Sequence, residues 1–159
     1  MGGLLTLYLA QRHPEIAGII PMAPAIFTVD WRAGLAWLFK YFVDFRPDDP
    51  ARDGDDLTDP EARSRYLWSY RGTPMAAVEQ LVLLQHAVRR DLRKIAMPTL
   101  IFQGTRDQSV KPESAVHVLS QVASQDKELI WWSRSGHCLW VDSEREPVWQ
   151  KAHQFIAAH

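Results

Sequence analysis

The chain has 159 residues, 47% hydrophobic and 23% charged, an ordinary globular composition long enough for one core, which excludes a disordered or fibrous polymer. A net charge of −1 with no basic run leaves no electrostatic footprint for nucleic acid or an acidic membrane surface. One cysteine, Cys138, rules out an internal disulfide; the six histidines lack metal-ligand spacing, so no cofactor is implied; no apolar run reaches the roughly 20 residues that span a membrane.

From Met1 to Arg12, the residues Leu4, Leu5, Tyr8 and Leu9 recur at helical spacing and predict a helix buried against a sheet. Gly2 and Gly3 suit a helix start whose backbone lies close to a strand, and His13-Pro14 ends the helix. Ile16 to Met22 is a short isoleucine-rich run, the pattern of a parallel strand covered on both faces, closed by Ala23-Pro24-Ala25. Trp31, Leu35, Leu38, Phe42 and Phe45 then form an amphipathic stripe, read as a core helix, with a cap over an apolar pocket as the open alternative. Arg46 to Asp59 is aspartate-rich and aperiodic, an exposed loop. Its pairs Asp48-Asp49 and Asp55-Asp56 do not have the spacing of a calcium loop. Thr73 as N-cap with Pro74 at the first helical position predicts a helix along Ala77, Leu81, Leu84 and Val88.

The second half carries the chemistry. After Pro98, the β-prone run Thr99 to Phe102 stops at Gly104 and delivers Asp107 into a polar loop. Val110-Lys111-Pro112 opens a crossover helix with Ala115, Val118, Leu119 and Val122 on its buried stripe. Leu129 to Trp132 repeats the strand pattern and ends in Ser133-Arg134-Ser135-Gly136-His137. Two parallel strands joined this way release both loops at one sheet edge, where ligands bind, so the Asp107 carboxylate and the His137 imidazole can meet there. A last helix uses Val148, Ala152, Phe155 and Ile156, started at Asp142 or Ser143, where Ser143 and Glu146 have capping-box spacing.

A hydroxyl nucleophile needs an imidazole to take its proton, and the imidazole needs a carboxylate to fix its tautomer. His137 and Asp107 suit these roles. Asp142 is a weaker rival as orienting acid, and Cys138, adjacent to the histidine, reads as packing rather than as a nucleophile. With Gly-Thr-Arg-Asp before the acid, Ser-Gly-His at the base and Met1-Gly2-Gly3 at the start, the chain resembles the C-terminal part of the α/β-hydrolase family, closest to small bacterial carboxylesterases and monoacylglycerol lipases. Their nucleophile elbow often reads G-x-S-M-G-G, so the resemblance begins just after the serine, and no Gly-x-Ser-x-Gly occurs elsewhere in the chain.

The resemblance implies an incomplete α/β-hydrolase fold with about three parallel strands, flanking helices and a helical cap insertion. Residues 1–26 and 92–159 would form the core and 27–91 the cap. It further implies Asp107 and His137 as triad members, the backbone of Met1 as an oxyanion donor, and Pro24, Ala25 and Val110 at the substrate. The substrate would be a small carboxylic ester, hydrolysed only when the missing N-terminal half supplies the serine, so the chain alone is expected to be inactive. Self-association through the exposed sheet edge is the alternative partner. Epoxide hydrolases and dehalogenases, which share the acid and histidine, and a non-catalytic domain remain open readings. A reducing, cytoplasmic compartment is compatible, with secretion left open because the natural N-terminus is expected upstream.

Overall fold

The computed structural model describes residues 1–47, 56–66 and 72–159. In chain order its elements are α1 (Gly2–Ala10), a 3-10 turn (Trp31–Leu35), α2 (Ala36–Phe39), β1 (Phe45–Pro47), α3 (Pro60–Tyr66), β2 (Gly72–Pro74), α4 (Met75–Asp91), β3 (Thr99–Gly104), α5 (Glu113–Gln121), β4 (Lys127–Trp132) and α6 (Arg145–Ala158).

β3 is buried along its whole length and pairs in parallel with β4, from Thr99 opposite Lys127 to Gly104 opposite Trp132. On the other side of β3, Ile19 and Met22 form parallel bridges with Thr99 and Phe102. Ile19 N–H donates to Pro98, Leu100 N–H to Ile19, Phe102 N–H to Pro21 and Ala23 N–H to Phe102. The rung that Pro21 would supply is absent because proline has no N–H, so the expected third strand is reduced to bridges. The parallel order is therefore the 19–22 segment, β3, β4, and the fold is that of an incomplete α/β sheet.

Side-chain alternation along β3 feeds two cores. Ile101 faces Leu4, Leu7, Val88, Leu92, Ala115 and Val118, contributed by α1, the α4 region and α5. Leu100 and Phe102 face Leu139 and Val148, the latter on α6. Helices thus cover both sheet faces, as a parallel sheet requires. Each fully buried leucine in these clusters contributes about 1.5–3 kcal/mol.

Several elements differ from the sequence reading. α1 buries Leu4, Leu7 and Ala10, whereas Leu5 and Leu9 are 43% and 48% exposed. Apolar residues lie all round this helix, so the stripe could be drawn on either side. The Trp31–Phe45 stripe is not core: Trp31 and Phe42 are 74% and 79% exposed, and only Ala36 is buried in the two short turns there. Asp30 caps the first turn by accepting the Arg32 N–H, and the chain leaves helix after Phe39, so the 3.6-residue register never runs far enough to present one face. α4 starts at Met75 with Pro74 as N-cap, because Thr73 pairs with Arg46 in the small antiparallel β1–β2 ribbon. On α4, Val88 is buried and Ala77 is exposed. α6 starts at Arg145 after Glu144 with no side-chain cap, and Ile156 is 66% exposed. Asp142, expected at that helix start, is instead drawn into the loop beside His137.

Candidate active site

Two loops at the C-terminal ends of β3 and β4 make the site. They are stitched together before any side chain acts: Thr105 N–H donates to Trp132 (2.9 Å), the Thr105 hydroxyl to Ser133 (3.1 Å) and Arg106 N–H to Ser135 (3.2 Å). Gly104 permits this approach, since a Cβ there would clash with the carbonyl oxygens of Ser135 and Gly136.

On this frame His137 Nδ1 lies 2.9 Å from Asp107 Oδ2, with the carboxylate side chain fully buried and the imidazole 20% exposed. The two oxygens of Asp107 have separate tasks. Oδ1 accepts the backbone N–H of Ser109 (2.9 Å) and Val110 (2.8 Å), fixing the turn. Oδ2 takes the imidazole and the Gln103 amide at 3.0 Å. Burial alone would raise the Asp107 pKa, but the hydrogen bond and charge of His137, with the Val110 and Ser109 amides, bring it below the ordinary carboxylate value. An ionised carboxylate on Nδ1 requires the imidazole proton there and leaves the Nε2 lone pair free to accept one. Among the described residues no protein group hydrogen-bonds Nε2.

Asp142 does not compete for the histidine. Its Oδ2 accepts Gly136 N–H (2.7 Å) and its Oδ1 accepts the N–H groups of Thr58, Asp59 and Ser143, so this fully buried carboxylate is a loop anchor. Cys138 is half-buried, and its thiol pKa is pushed up to about 11, first by burial and then by the carboxylates of Asp56, Asp107 and Asp142. Such a thiol holds its proton at neutral pH and is no nucleophile there.

Met1 caps α1, accepting Leu4 N–H at 3.0 Å. Its α-amine is held below the usual range by burial, against the raising influence of Cys138 and Asp107 nearby. The start of α1 is pressed onto the end of the 19–22 segment: a Cβ on Gly3 would clash with the Met22 carbonyl, while Gly2 has open space. Pro24 and Ala25 are buried at that end, and the Ala25 carbonyl accepts the Gln85 amide at 2.7 Å. Val110 is buried behind Asp107 and bridges Thr28. An open groove of about 540 Å³ elsewhere, lined by Phe27, Val116, His117 and Trp131, is bordered by neither Asp107 nor His137.

Sequence reasoning missed Gln103, Glu144 and Asp56. Gln103 was signalled by a polar residue inside an apolar strand. Glu144, which accepts from Arg134 N–H and the Ser135 hydroxyl, and Asp56, which accepts from the Ser109 hydroxyl and, through its carbonyl, from Cys138 N–H, had no local signal. Asp48, Asp49 and Asp55 lie outside the described residues, and among the described residues no His, Cys, Asp or Glu group could hold a metal. No helix of the described residues is long and apolar enough to cross a membrane.

A parallel sheet covered by helices, with an acid and a histidine at adjacent strand ends, is the frame of an α/β-hydrolase. The family model described as serine aminopeptidase, S33, matches residues 1–144, and the chain belongs to this α/β-hydrolase family. It is 31% identical to a thermostable monoacylglycerol lipase of Bacillus sp. (strain H-257) over all of its own length and 60% of that protein's. Similarity to a carboxylesterase of Bacillus subtilis (strain 168) is 27% over 98% of this chain and 60% of the relative. A solved structure from work on the metagenome-derived lipolytic enzymes LipS and LipT superposes with a TM-score of 0.89 at 26% identity, covering all of this chain and 62% of the other. The Paleococcus ferrophilus monoacylglycerol lipase shares the fold, with a TM-score of 0.80 at 18% identity over 99% of this chain and 65% of that one. The chain thus spans 60% of the length of the curated relatives it matches.

Proposed function

We propose that this chain supplies the general base, His137, and its orienting acid, Asp107, to a serine carboxylester hydrolase of the carboxylesterase or monoacylglycerol lipase type. The single observation that carries the reading is the 2.9 Å contact between His137 Nδ1 and the buried Asp107 carboxylate. With Nδ1 so held, Nε2 takes the proton of a serine hydroxyl as it attacks the ester carbonyl, then returns it to the departing alcohol. The acyl-enzyme is released by water through the same base. Asp107 stabilises the imidazolium in both halves without being protonated.

The serine comes from outside these 159 residues, since the sequence contains no Gly-x-Ser-x-Gly. Joined to the segment that carries the serine, Met1 has a peptide N–H, and this is one donor to the developing oxyanion. Residues 27–91 act as the cap, whose exposed aromatic residues Trp31, Trp37 and Phe42 suit an apolar acyl chain. The family resemblance assigns Pro24, Ala25 and Val110 to the substrate side of the site. The names of the relatives, a monoacylglycerol lipase and a carboxylesterase, support a small carboxylic ester as substrate.

Hydrolysis of p-nitrophenyl butyrate tests this. The purified chain shows no turnover alone; joined to an N-terminal segment of a related lipase that supplies a Gly-x-Ser elbow, it gains turnover that His137→Ala lowers by about 10⁴-fold or more. Turnover by the chain alone that disappears in His137→Ala would overturn the placement of the nucleophile.

A further inference from the structure

We infer that Asp142 is a positioning residue for His137, fastening the loop that carries the imidazole to the segment at Thr58 and Asp59. This rests on the reading of Asp107 and His137 as acid and base. Asp107 fixes only Nδ1 of the ring; something else must hold the backbone from which the ring projects, because a misplacement of about 1 Å is enough to cost 10²-fold in a general-base step.

The loop after β4 has no regular secondary structure to hold it, and the hydrogen bonds show what does so instead. Asp142 is fully buried, and an ionised carboxylate only accepts. Oδ2 faces Gly136 N–H at 2.7 Å, one residue before the histidine. Oδ1 faces the N–H groups of Thr58 (2.8 Å), Asp59 (2.9 Å) and Ser143 (2.8 Å). A single side chain thus joins the histidine loop to a segment more than seventy residues earlier. The Thr58 hydroxyl adds a second tie, lying 2.6 Å from the Arg134 carbonyl in the same loop. The backbone amides of Gly136, Asp59 and Ser143 outweigh the effect of burial and hold the Asp142 pKa below the ordinary carboxylate value, as they must for all these donors to be received by one anion.

Asparagine is nearly isosteric but has one oxygen and one NH₂. At 142 it must turn its NH₂ either toward Gly136 N–H or toward the three amides on the other side, so one tie breaks whichever way it lies. Neighbouring Asp59 provides the comparison. Its carboxylate accepts Glu61 N–H at the start of α3 and the Arg145 guanidinium at 2.8 Å, and so steadies the same segment without touching the histidine loop.

The test is ¹⁵N NMR of histidine side chains in the full chain, with the His137 signals assigned by their loss in His137→Ala. The wild type is expected to hold His137 in one tautomer, with the proton on Nδ1. Asp142→Asn, folded by near-ultraviolet circular dichroism, is expected to show mixed tautomers and faster exchange of the Nδ1 proton. Asp59→Asn is expected to lower the melting temperature and leave His137 as in the wild type. An unchanged His137 spectrum in folded Asp142→Asn, or an equal change in Asp59→Asn, would overturn the inference while leaving the acid-base pair intact. Should Asp142→Asn not fold, Thr58→Val, which removes the hydroxyl contacts with the Arg134 carbonyl, Asp142 Oδ1 and the Ser143 hydroxyl but keeps the Thr58 N–H bond to Asp142, is expected to shift the same signals to a smaller extent, and no shift overturns the inference. A wild-type His137 lacking the Nδ1–H tautomer would sink the acid-base reading itself.

Discussion

At the scale of single residues, Asp107 is where two sequence readings coincide. An aspartate after a strand is commonly a turn former, and Oδ1 does form the turn through Ser109 and Val110, while Oδ2 remains for His137. The two roles need different oxygens, so neither excludes the other. Because the folded-state pKa lies below the ordinary value of about 3.9, Asp107 contributes stability that is present above that value and is lost as the pH falls through the folded one. Urea titrations between about pH 6 and pH 3 are expected to show Asp107→Asn losing less stability on acidification than the wild type; parallel curves would refute the assignment. The dyad was legible in the sequence because each member directly follows its own strand with turn residues between. Asp142 was legible as a rival acid or a helix start but not as a loop anchor, since its donors Thr58, Asp59 and Gly136 come from distant points of the chain and no spacing rule links them.

At the scale of elements, the contact between the end of β3 and the histidine loop depends on Gly104 having no side chain. Gly104→Ala would drive a methyl group into the backbone carbonyls of Ser135 and Gly136. The expected cost is about 1–3 kcal/mol in chemical denaturation. The variant should also lose the single Nδ1–H tautomer expected of His137 in the ¹⁵N NMR experiment; a variant as stable as the wild type would show that the loops are not in contact. The β3, α5 and β4 pattern was readable because β3 has the apolar β-prone centre Leu100-Ile101-Phe102 and the Ala115, Val118 and Val122 stripe has one clear side. Elsewhere, periodicity misled. α1 carries leucines on every side, so sequence alone could not say that Leu4 and Leu7 rather than Leu5 and Leu9 are buried. The Trp31–Phe45 stripe had the right spacing on a segment whose helix stops at Phe39, and the β1–β2 ribbon is too short to leave an alternating pattern.

At the scale of the molecule, apolar surface remains uncovered. Leu5 and Leu9 lie one helical turn apart on α1, and among the described residues no strand pairs with the outer side of the 19–22 segment. Exposed apolar patches and open strand edges promote association. The isolated chain is therefore expected to elute from size exclusion as an oligomer, and Leu5→Lys with Leu9→Lys is expected to shift it toward the monomer; a monomeric wild type would contradict this. The family assignment and the acid-histidine geometry together make one claim, that Asp107 and His137 act as a unit on an ester. The most direct test is a double-mutant cycle of Asp107→Asn and His137→Ala, read as kcat for p-nitrophenyl butyrate in the chain joined to a serine-bearing N-terminal half. The account predicts a loss of about 10⁴-fold for each single variant and little further loss in the double. Losses that multiply, or an Asp107→Asn variant with wild-type kcat, would contradict it.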